Sequence, residues 1–133
     1  MKCVLVVDST LPRGLAANAA AVLAATLGAR LPGLVGNDLP DADGGSHPGL
    51  VTVPLPVLAA DTEALRDLRE RAVAVPDLVC VDFSRLAQQC RRYDEYADLL
   101  AATPGQDLAY LGVGLAGPAK AVTRLTGSLP CCR

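Results

Sequence analysis

Apolar residues along this chain fall into short unbroken runs, set apart by stretches where glycine, proline and aspartate gather. The first run, Lys2–Val7, is β-branched and continuous rather than alternating, the pattern of a strand covered on both faces. Turn and capping chemistry follows in Asp8-Ser9-Thr10-Leu11-Pro12-Arg13-Gly14. Leu15–Leu27 is almost wholly Ala, Leu and Val, which predicts a helix buried on most sides and stopped by Gly28, with Asn18 as its one strongly polar interruption. Residues 32–49 are rich in Gly, Pro and Asp and predict a long surface connection. Leu50–Val53 reads as a strand that Pro54 and Pro56 confine to a sheet edge.

The second half repeats the alternation. Asp61 predicts a helix N-cap, Leu65, Leu68 and Ala72 the helix's apolar stripe, and Arg66, Arg69, Glu70 and Arg71 its solvated face. Leu78–Val81 predicts a buried strand ending at Asp82. Tyr93, Tyr96, Ala97 and Leu100 recur at helical spacing as far as Pro104-Gly105. Leu108–Val113 predicts a third strand, and Pro118 and Gly127 bracket a last helix. Strands alternating with helices imply a single layered α/β domain over residues 1–133 with a buried sheet.

Composition narrows the function classes. Twelve Lys+Arg against 14 Asp+Glu leave a net charge of −2, so the chain lacks the cation surplus that strong nucleic-acid binding needs. Aromatic residues are only 3%, which leaves few platforms for stacking unpaired bases. The opening apolar run is too short for a secretory signal, and no run approaches the roughly 18 apolar residues of a membrane span, so a cytoplasmic location without membrane contact is expected. The five cysteines are an odd number without a framework spacing and are expected as thiols, Cys3 and Cys80 as small core residues. Cys131-Cys132 lack the spacing of a zinc pair, and with a single His in the chain no metal or other cofactor is expected.

Open α/β sheets hold ligands at the carboxyl ends of their strands. Three such ends stand out: Asp8-Ser9-Thr10, Asp82-Phe83-Ser84, and Gly112-Val113-Gly114-Leu115-Ala116-Gly117. The last spells G-x-G-x-x-G, but no strand with an acidic residue follows it, so it is not a dinucleotide fingerprint. Its glycines would let a ligand approach the backbone, with Lys120 adding a cation in the next helix's first turn. Asp8 and Asp82 each have two readings: capping the turn that follows, or acting as a desolvated base or substrate anchor. His47, in a loop beside Ser46, has no spacing that suggests a relay and is expected to be a surface residue.

Two blocks bring a known family to mind. Lys2–Asp8 with Leu11-Pro12-Arg13-Gly14-Leu15-Ala16-Ala17-Asn18, and Leu111-Gly112-Val113-Gly114 with Leu125-Thr126-Gly127-Ser128-Leu129, resemble the first and last strand–helix pairs of type II peptidyl-tRNA hydrolases. More closely, Lys2–Pro130 resembles the bacterial domain-of-unknown-function family numbered 2000, through Gly14–Asn18, Asp82-Phe83, Tyr93-Asp94-Glu95-Tyr96 and Leu125–Pro130. The resemblance implies a three-layer α/β/α sandwich with a small mixed sheet, and no agreed activity. The hydrolases carry Gly-Lys-Gly-Lys, with a catalytic lysine, where Leu11-Pro12-Arg13-Gly14 stands here, and a glutamine at the place of Asn18. Their acidic stretch before the final strand has no counterpart near Gln106-Asp107-Leu108.

Two functions are therefore expected in competition. In one, a hydrolase or transferase acts on a small acylated or anionic substrate: Asp8 and Asp82 supply the carboxylates, Arg13 holds an anion with Ser9, Thr10 and Asn18 near it, and the Gly112, Gly114 and Gly117 amides stabilise an oxyanion beside Lys120. In the other, the fold serves as a non-catalytic binding or assembly module, a homodimer joined through the first helix or the Pro54–Leu58 edge. The first requires the tips of the first and last strands to meet in one hollow.

Overall fold

The computed structural model describes residues 1–133. Strand β1 (Lys2–Asp8) lies inside a four-stranded sheet with β4 (Val57–Ala60), β5 (Val79–Ser84) and β6 (Tyr110–Gly117), in the order β4-β1-β6-β5. β4 runs parallel to β1, whereas β6 is antiparallel to both β1 and β5. Three strands thus point one way and β6 alone returns between them. Helices α1 (Arg13–Arg30), α2 (Thr62–Val73), α3 (Arg85–Gln89), α4 (Tyr93–Ala101) and α5 (Ala119–Thr126) complete a mixed α/β domain.

Each sheet face has its own apolar layer, as continuous rather than alternating strands require. On one face Cys3, Leu5 and Val7 meet Ala19, Leu23 and Leu27 of α1. On the other, Val4 and Val6 meet Leu65, Leu68 and Ala72 of α2 and Val122 of α5. The alanines of α1 permit a close approach to the sheet, and β6 answers with glycine. A Cβ on Gly112 would lie 2.8 Å from Leu23 Cδ1, and one on Gly114 would lie 2.8 Å from Val81 Cγ2 and 3.2 Å from Leu27 Cδ1. These glycines make room for α1 and the β5 side chains.

Several expectations shift. The third strand starts at Tyr110 and continues to Gly117, so the whole G-x-G-x-x-G lies within it. Helix α1 runs through Gly28 to Arg30, because the buried Leu27 carries the helix onward and its carbonyl takes the Leu31 amide at 3.0 Å. Leu50–Val53 adds no strand to the main sheet. Val51 bridges only Val35, and the edge strand begins after Pro56. The long connection is a surface arm, with a small hairpin of β2 (Leu39–Pro40) and β3 (Ser46–His47). The short α3 was not expected; the Ser84 side chain caps it at the Ala87 amide.

The outer edge of β4 is closed by the chain's own last residues. Ala59 N donates to Pro130 O and Cys132 N to Val57 O, both at 2.9 Å, and Leu58 bridges Cys131 antiparallel. That edge is therefore unavailable as the expected dimer contact, while Leu15 and Val22 remain exposed on α1. No helix is long and apolar enough to cross a membrane.

Candidate functional site

The buried Asp8 ends β1 with its side chain fully engaged. Thr10 donates to Oδ1 through its backbone N–H at 2.8 Å and its hydroxyl at 2.7 Å, and the Thr62 hydroxyl donates to Oδ2 at 3.3 Å. Ser9 N bonds Ala60 O at 2.9 Å, so the turn is tied to both β4 and the start of α2. The carboxylate folds the turn and holds it against α2, the capping role of a strand-end aspartate.

Over this turn opens a cleft of about 830 Å³. Ala16, Ala17 and Ala20 of α1 form one wall, Val57 and Ala59 of β4 the floor, and Pro130–Arg133 the opposite side. Arg13 stands at its rim in the first turn of α1, a helix that starts behind Pro12 with no side chain capping its first amides. It takes part in none of the molecule's ion pairs. The site is thus an apolar trough with two unpaired guanidiniums, Arg13 and Arg133, and such a group binds a carboxylate or phosphate in two-point fashion.

The family described as "Protein of unknown function (DUF2000)" matches residues 1–133. The chain belongs to that family. A solved structure of a protein of unknown function from Agrobacterium tumefaciens strain C58 is similar to the DUF2000 chain with a TM-score of 0.87 at 18% identity, covering 98% of this chain and 96% of its own. The likeness shows a shared fold. No curated protein matches the sequence.

In the DUF2000 chain the expected hollow is only partly assembled. Asp8, Ser9 and Arg13 line the cleft, with Thr10 bonded to Asp8. Asn18 is solvent-exposed on α1 and does not line it. The glycines do not converge there, because β6 is antiparallel to β1: Gly112 pairs with Val7, Gly114 with Leu5 and Gly117 with Lys2. Strands on both sides of β6 direct its amides into the sheet, so no oxyanion donors face the cleft. Gly117 and the exposed Lys120 lie at the opposite end of the sheet from Asp8. Asp82 sits across β6, level with Val113, and its Oδ2 accepts from Arg69 Nε at 3.2 Å. The two carboxylates therefore occupy separate hollows.

Other residues take plain roles. His47 Nε2 bonds Asp41 Oδ2 at 2.8 Å in the exposed hairpin, and that bond, helped by the Gly45 and Asp43 amides, holds the Asp41 carboxyl below its ordinary range. Burial raises the Cys3 thiol, and burial followed by the Asp82 charge pushes Cys80 up to about 11, so both stay protonated core groups. Sequence reasoning missed Val57, Ala59 and the Pro130–Arg133 wall. The one available signal was the short apolar run Leu129–Cys132 after the Gly127 helix stop, long enough to dress an edge strand.

Proposed function

We propose that this protein is a non-catalytic binding module for a small acid with an apolar body, a carboxylate or phosphate ester of a short acyl or alkyl chain. The cleft carries this reading: an alanine-walled trough with Arg13 unpaired at its rim. The acid group pairs with Arg13, and the apolar body lies between α1 and β4. A hydrolase or transferase on an acylated substrate has less support. Asp8 already accepts three hydrogen bonds, and the guanidinium that replaces the hydrolase lysine stays charged and moves no proton. The fold of type II peptidyl-tRNA hydrolases is part of the proposal, supported by the two strand–helix blocks of the sequence, as are a cytoplasmic location and a homodimer joined through the first helix at the exposed Leu15.

Calorimetric titration with hexanoate, hexyl phosphate and hexanol tests the binding. The two anions are expected to bind and the alcohol to fail. Arg13→Ala should weaken both anions about tenfold or more, and Ala17→Leu, which fills the trough with a good helix former, should abolish binding without loss of stability. Equal binding of hexanol, or anion binding untouched by Ala17→Leu, refutes the reading. Light scattering at several concentrations tests the dimer, and a strict monomer refutes it.

A further inference from the structure

A second groove lies at the carboxyl end of β5, bordered by Val22 and Thr26 of α1 at the opposite edge of the sheet from the Arg13 cleft, and has different chemistry. The chain has only four aromatic side chains, one Phe and three Tyr, and all gather around this strand end. Phe83, Tyr93 and Tyr96 line the groove, and Tyr110 lies beneath the Arg69 guanidinium at 5.4 Å. Tyr93 is held edge-on to Tyr96, with ring centroids 6.1 Å apart and planes at 67°, yet is 83% exposed. Its position is fixed on one side only, which leaves a ring face open to solvent.

Charge is distributed along the same groove. Arg91 and Arg92 line its rim; Arg91 has no ion-pair partner, and Arg92 has only the exposed Asp94 at 3.5 Å. At the sheet end, Asp82 Oδ2 accepts from Arg69 Nε while Oδ1 accepts no hydrogen bond. One hollow therefore brings together cations, an open aromatic face and an acceptor. At about 380 Å³ the groove lies near the lower end of the roughly 300–1,000 Å³ of small-molecule sites, too small to bury a dinucleotide.

We infer that this groove is a second binding site, for a purine nucleoside monophosphate: phosphate on Arg91 and Arg92, base stacked on Tyr93, and a base N–H donated to Asp82 Oδ1. Guanidinium suits phosphate through its paired donors, and a tyrosine face takes any purine. The net acidity that argues against a polymer does not oppose a single phosphate met by two local cations. The inference does not rest on the Arg13 cleft.

With one Phe, three Tyr, one His and no tryptophan, the aromatic carbon–proton NMR spectrum is sparse enough to follow the groove's rings one by one. GMP is the probe, because its N1–H and N2–H donors suit a carboxylate edge. Millimolar GMP is expected to shift the Tyr93 and Tyr96 rings saturably, with inorganic phosphate and guanosine each at least about tenfold weaker. Arg91→Ala with Arg92→Ala, both exposed in the parent, should weaken GMP about tenfold while sparing guanosine, and Tyr93→Ala should weaken both. Arg13→Ala should leave the GMP titration unchanged. Absent ring shifts, phosphate binding as tightly as GMP, indifference to the double arginine variant, or loss of GMP binding in Arg13→Ala would each overturn the inference.

Discussion

Replacing Asp8 separates a folding role from a chemical one. In Asp8→Ala the Thr10 amide and hydroxyl and the Thr62 hydroxyl lose their shared acceptor. Hydrogen bonds to a charged group contribute about 1.5–3 kcal/mol each. The Thr62 bond is long at 3.3 Å and the Thr10 groups are only part-buried, so water recovers some of the loss. A net cost of about 3 kcal/mol follows, a fall of roughly 10 °C in Tm for a domain of this size. Asp8→Asn keeps an oxygen for both Thr10 donors and offers an NH2 that the Thr62 hydroxyl can accept. Only the charge assistance disappears, a cost of about 1 kcal/mol. Urea unfolding with matched m-values measures both. A general base would give the reverse pattern, with both variants stable and inert. An Asp8→Ala protein with the parent's midpoint, or an Asp8→Asn protein as weakened as the alanine variant, refutes the reasoning.

Three further outcomes are expected. Gly114→Ala should destabilise the domain by about 1–3 kcal/mol in denaturant, since the new Cβ meets Val81 and Leu27; adding Val81→Ala should recover part of that loss. Iodoacetamide at pH 8 should label the exposed Cys131 well before the buried Cys3 and the raised Cys80, as read by peptide mass mapping. The Asp41 carboxyl is lowered in the folded hairpin, so its contribution is present above the unfolded pKa and lost as pH falls through the folded one. The Gly45 amide shift should therefore titrate below the usual carboxylate range, and His47→Ala should bring the midpoint back up.

The buried strands and amphipathic helices were legible because their patterns are local. Lys2–Val7 and the Leu65, Leu68, Ala72 stripe appear where their composition placed them. Strand direction was not legible. Nothing in Leu111–Gly117 records that it runs against β1, and that single reversal removes Gly117 and Lys120 from the expected hollow. The glycine spacing suggested ligand approach, whereas the neighbour that approaches Gly112 is Leu23 of α1, a contact distant in sequence and invisible to local pattern. Asp8, Ser9 and Arg13 did come together because they flank one turn. The Val57 and Pro130 walls depend on a long-range edge pairing that no periodicity announces.

Four of the 13 residues that line the cleft beside Asp8 are alanines, whose methyls sit directly on helix and strand backbone. A methyl has no torsion that reshapes it, so the α1 wall keeps its contour while the side chains of Leu11, Arg13 and Arg133 around it can turn. Bulk in a guest is then judged against that one fixed side, and a single added carbon on it alters the accepted size in one discrete step.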